Sequence, residues 1–88
     1  MIKNTDLLQF PCQFPIKVMG KNSSSFIDDI QAILSAHFPE IQPNSIQKKE
    51  SKEGKYISIS VTVEAQEKEQ LDKLYLEITG HSEVVMAL

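Results

Sequence analysis

Between Tyr56 and Glu64 the chain alternates apolar and polar residues without a break, Ile57, Ile59, Val61 and Val63 against Ser58, Ser60, Thr62 and Glu64. A period of two is the period of strand faces, so this segment has one face for a core and one small polar face. Everything else must be built around a sheet of that kind. Apolar cover is needed on the buried side, while the other side meets water or a partner. With 88 residues there is material for one core.

The cover is written in two helical stripes. Phe26, Ile27, Ile30, Ile33 and Leu34 fall on one helical face, opposite Asp28, Asp29, Gln31 and Ser35. Ser25 with Asp28 reads as a capping-box start, Asp28 and Asp29 suit the positive end of the helix dipole, and Pro39 ends the helix near His37. A second helix is expected from Gln66 to Thr79, with Leu71, Leu74, Tyr75 and Ile78 as its buried stripe and Gly80 as its C-cap. Its acids and lysines, among them Glu69 and Lys73 at i,i+4 spacing, form a solvated outer face.

Further strands flank these helices. Phe14, Ile16 and Val18 alternate with Pro15, Lys17 and Met19, and because proline has no N–H the regular strand is expected from about Pro15 to Gly20. Ile46 to Glu53 reads as a lysine-rich edge strand leading into a turn with Gly54 at positive φ. Val84 to Leu88 is a short closing strand. The order strand, helix, strand, strand, helix, strand predicts an α+β ferredoxin-like sandwich, a four-stranded antiparallel sheet with two helices on one face. One domain over residues 1–88 is expected, with residues 1–9 as a loose arm.

Composition excludes several functions. No run approaches the ~20 apolar residues of a membrane span, and the first residues lack an apolar signal core, so a cytoplasmic protein without membrane association is expected. Cys12 is the one cysteine, which leaves no intrachain disulfide and no C-x-x-C metal motif. The net charge is −3, and all nine basic residues are lysines. Without arginine the chain lacks the planar fork used for phosphate and guanine, and acylphosphatase chemistry on this fold needs an arginine. Lys17, Met19, Ser58, Ser60 and Thr62 on the outward face of the central strands offer no aromatic platform beyond Tyr56, so nucleic acid is not expected as a partner.

Candidate chemistry is sparse. Cys12 reads as a small packed hydrophobe rather than a reactive thiol, since Lys17 is the one nearby cation in sequence. His37 and His81 fall at different helix ends, where histidine complements the dipole, and without a third ligand they do not specify zinc. Gly20 to Ser25 could bind an anion through backbone N–H groups and hydroxyls, but its ordinary role is capping. No catalytic set, cofactor site or metal site is expected.

Four stretches carry a family resemblance: Phe10-Pro-Cys-Gln-Phe-Pro-Ile-Lys-Val-Met-Gly20, Ser51-Lys-Glu-Gly-Lys-Tyr56, Glu69-Gln-Leu-Asp-Lys-Leu-Tyr75, and His81 before the last strand. In these the chain resembles the YbeD-like family of small bacterial proteins. The resemblance implies a ferredoxin-like fold similar to ACT-type regulatory domains, and a link to lipoate or amino-acid metabolism, with no catalytic residues to carry over. Lys17, Tyr56 and His81 stand out within the matching stretches.

The resulting expectation is a non-enzymatic regulatory or binding module. Its candidate interaction surface is Lys17, Met19, Ser58, Ser60, Thr62 and His81, with Val85 and Ala87 adding apolar area if they share that face. A small metabolite or a protein partner is one expected occupant, and a second copy forming a homodimer through the open sheet face is another; the alternative readings are a self-associating structural adaptor without ligand and a small enzyme.

Overall fold

Ile16, Val18, Ile57, Ile59, Val61 and Val63 all turn to one side of a sheet and are at most 5% exposed. A computed structural model of the chain describes residues 9–88, so the arm expected over residues 1–9 lies, but for Gln9, outside the described residues. The elements are β1 (Cys12–Lys21), α1 (Ser24–His37), β2 (Gln47–Glu50), β3 (Tyr56–Ala65), α2 (Lys68–Thr79) and β4 (Val84–Ala87), with a 3-10 turn at Pro43–Ser45. Their order in the sheet is β2-β3-β1-β4, antiparallel throughout. This is the ferredoxin-like arrangement. Phe26, Ile30 and Leu34 of α1 and Leu71, Leu74 and Ile78 of α2 pack on the apolar sheet face and close one core with it.

β1 begins three residues earlier than Pro15, at Cys12, and pairs with β3 from Cys12 opposite Ala65 to Lys21 opposite Tyr56. Proline is tolerated inside this strand because of which flank it faces. Lys17 exchanges both backbone hydrogen bonds with Leu88, donating at 3.1 Å and accepting at 2.8 Å, so every second residue of β1 points its N–H toward β4. Pro15 belongs to that set and lies past the reach of β4, so no ladder bond is lost.

α1 also starts earlier than the capping-box reading. Ser23, in extended geometry, is the N-cap, and its hydroxyl accepts from the Phe26 N–H at 3.2 Å. The two-residue difference removes Asp28 and Asp29 from the first turn. α2 starts two residues later than expected, because the Gln66 N–H is taken by the Gln70 side chain at 2.9 Å and Glu67 remains extended as N-cap. Gly80 is the C-cap but stays right-handed, with φ −76°. Gly54 does take positive φ, 75°. Gly20 does not close β1; a side chain there would overlap the Phe26 ring and the Glu83 carbonyl, so close packing of α1 and the α2–β4 loop against β1 requires glycine.

β4 holds a register shift. Met19 pairs with Met86 and Gly20 with Val84, which leaves Val85 as the extra residue of a bulge. Ala87 therefore pairs with Val18, faces the core and is 7% exposed. The expectation that Ala87 could share the open face is wrong, and Met86 occupies that face instead.

Candidate functional site

The side of the sheet without helices carries Lys17, Met19, Ser58, Ser60 and Thr62 together. Lys17 stands opposite Ser60, Met19 opposite Ser58, and Thr62 opposite Pro15. From the other flank β2 adds Gln47 opposite Ser60 and Lys49 opposite Ser58. β4 adds Met86 and Leu88, 47% and 61% exposed. These strands leave a groove of 410 Å³ between Leu88, Lys17, Ser60 and Gln47. Lys17 also borders a second hollow of 200 Å³ with Met19, Lys49, Tyr56 and Ser58. Tyr56 borders a third, of 440 Å³, with Lys21, Asn22 and Lys55 at the hairpin.

Glu64 shares this face at the far end of β3, opposite Gln13, but charge around the hollows is one-sided. Lys17, Lys21, Lys49 and Lys55 line the hollows, while Glu50 is their one acid. Lys55 has Glu53 at 3.9 Å, both largely exposed, whereas Lys17, Lys21 and Lys49 have no carboxylate in ion-pair range among the described residues. In a chain of net charge −3 this is a segregated cationic strip.

His81 is not on that face. It sits on the helix side of the sheet, edge-on to the Phe26 ring at 5.5 Å. Its Nδ1 accepts from the Glu83 N–H at 3.1 Å, so Nε2 carries the proton and donates to Asp29 Oδ2 of α1 at 2.9 Å. His37 makes the matching tie from the end of α1, with Nε2 at 2.7 Å from Glu77 Oε1 of α2. His37 thus links α1 to α2 and His81 links the α2–β4 loop to α1, and the two are not neighbours. Their bonds position helices; they do not converge on a common point where a substrate could sit.

The remaining candidates are occupied in similar ways. Cys12 is half-buried, opposite Ala65, and packs against the core edge. In the serine-rich loop the Ser23 hydroxyl caps α1 and lies 3.3 Å from the Ser25 hydroxyl. Asn22 ties the same loop to the β2–β3 hairpin, donating from Nδ2 to the Gly54 carbonyl at 2.9 Å.

Tyr75 is the residue whose polar end the helical stripe does not reveal. Its ring meets Phe14 edge-on at 6.5 Å, and its hydroxyl donates to the Leu88 carbonyl, pinning the end of β4 to α2. Burial pushes its pKa up from 10.0 to about 12. Lys49, Lys21 and Met86 were also missed as members of the open face. The signal for Lys49 is the hairpin register counted back from Gly54; nothing in the local pattern announces the bulge that places Met86.

Among the described residues no helix is long and apolar enough to cross a membrane. A family model described as a protein of unknown function, DUF493, matches residues 5–88. The UPF0250 protein of Chromobacterium violaceum is 37% identical over 83 residues, covering 94% of this chain and 93% of its own. That of Paraburkholderia phytofirmans is 38% identical over 85 residues, covering 97% and 96%. Among solved structures, the solution structure of protein HP0495 from H. pylori aligns with a TM-score of 0.66 at 18% identity, over 92% of this chain and 85% of that one, a likeness of fold. With its matched span and these near-full-length relatives, which are UPF0250 (YbeD-like) proteins, the chain belongs to the DUF493 family.

Proposed function

We propose that this protein is a non-enzymatic binding module of the cytoplasm that works by docking a partner on its open sheet face. The observation that carries the reading is the run of hollows joined at Lys17 and Tyr56, lined by Lys55 and by Lys17, Lys21 and Lys49, the last three without a carboxylate in ion-pair range among the described residues. Lysines beside half-buried Met19 and exposed Met86 and Leu88 make a mixed charged and apolar surface suited to an interface. In keeping with a non-catalytic reading, both histidines are bound to carboxylates away from the open face, and Cys12 packs at the core edge.

A regulatory role follows from the same surface, since docking is the event that a partner or metabolite would control. The test is a blocking substitution. Ser60 lies in the floor of the groove between Lys17 and Gln47, and its side chain points away from the core. Ser60→Trp is expected to fold normally and to lose whatever protein the wild type retains from a bacterial extract, or any metabolite-dependent rise in Tm. Glu69→Ala, on the outer face of α2, is expected to keep both. Equal retention by Ser60→Trp, or loss with Glu69→Ala alone, would place the function on the other side of the molecule.

A further inference from the structure

Resting on that reading, we infer that the occupant of the open face is an acidic segment of another protein, lying along the hollows from the hairpin to β4. Charge complementarity is the ground for this choice. Four of the nine lysines line the hollows against one acid, although the chain as a whole is acidic. A partner bearing carboxylates gains attraction to Lys17, Lys49 and Lys21 without breaking any ion pair already made, because those lysines have none among the described residues.

The same charges act against the other occupants. Two copies joined face to face about a two-fold axis would bring the cationic strip of one toward that of the other, and like charges at an interface are costly. Nucleic acid would find point-charge lysines with neither arginine nor a row of aromatics, since Tyr56 is the one aromatic on the face. The apolar side of the track, Met19, Met86 and Leu88, runs along β4 beside Lys17. An acidic segment that also presents aliphatic side chains therefore matches both halves of the surface, and methionine adapts to such side chains readily.

Short synthetic peptides test this with the intact protein. A peptide of alternating Glu and Leu is titrated against it and followed by backbone amide shifts, beside a Gln-Leu and a Lys-Leu peptide and vesicles of anionic lipid. The expected result is binding of the Glu-Leu peptide with shifts at Lys17, Met19, Ser58 and Ser60, weakened at least about tenfold by Lys17→Glu with Lys49→Glu and weakened by salt. Equal binding of the Gln-Leu peptide, or stronger binding of the Lys-Leu peptide, at those amides would overturn the acidic partner and leave the docking face standing. Shifts confined to the helices would overturn both. Tight binding to the vesicles alone, failure of every probe, or a stable dimer in sedimentation with these amides buried would each also overturn the inference.

Discussion

Tyr75 shows how a residue read as simple core can hold a polar duty. Its position in the α2 stripe was legible from spacing, but its hydroxyl bond to the Leu88 carbonyl depends on where β4 ends, which no local pattern states. The burial of its phenol has a consequence with a definite sign. The folded state holds the phenol neutral to about 12, against 10.0 for the free group, so its stabilisation is complete below pH 10. As pH rises from 10 to 12 the unfolded chain ionises first, and the advantage is lost. Tyr75→Phe is expected to cost about 1 kcal/mol at neutral pH through the lost hydrogen bond. Between pH 10 and 12 urea unfolding should then show the wild type falling toward the variant; curves that stay parallel through pH 12 would contradict this role. His81 shows a different limit of sequence reading. Its place after Gly80 was evident, yet its partner Asp29 lies 52 residues away and is met only once both helices pack on the sheet.

At the scale of elements, the strand faces and both helical stripes were readable because burial enforces period two or 3.6 along each segment. Boundaries were less so. The serines that precede Phe26 offer three hydroxyls in a row, and which one caps α1 is set by where β1 releases the chain. The loop's ties to the hairpin, through Asn22 to Gly54 and Lys55, fix that exit and select Ser23. Ser23→Ala is therefore expected to lose about 1 kcal/mol of stability and Ser25→Ala only a few tenths, measured by chemical unfolding. The reverse ranking would restore the later start. β4 illustrates the same point in the sheet: a single bulged residue, Val85, exchanges which of Met86 and Ala87 faces the core, and a pattern-based reading has no sign of it.

For the molecule as a whole, the division of labour follows from a one-sided sheet. The helices take the apolar face, the histidine–carboxylate ties and much of the acidic charge, leaving the opposite face to small hydroxyls, methionines, Glu64 and lysines of which Lys17, Lys21 and Lys49 have no carboxylate partner among the described residues. The five outward residues of the central strands were legible together because the period-two pattern places them there; His81 was not separable from them without the third dimension. The membership of Lys49 and Lys21, which turns a polar face into a cationic one, came from register. The central claim is that this face is where the protein works. The most direct measurement is amide hydrogen exchange on the protein alone and with its retained partner bound. The account predicts new protection along β1, β2 and β3 around Lys17, Lys49 and Ser60, with the outer faces of α1 and α2 unchanged; protection centred on the helices, with the sheet unaffected, would contradict it.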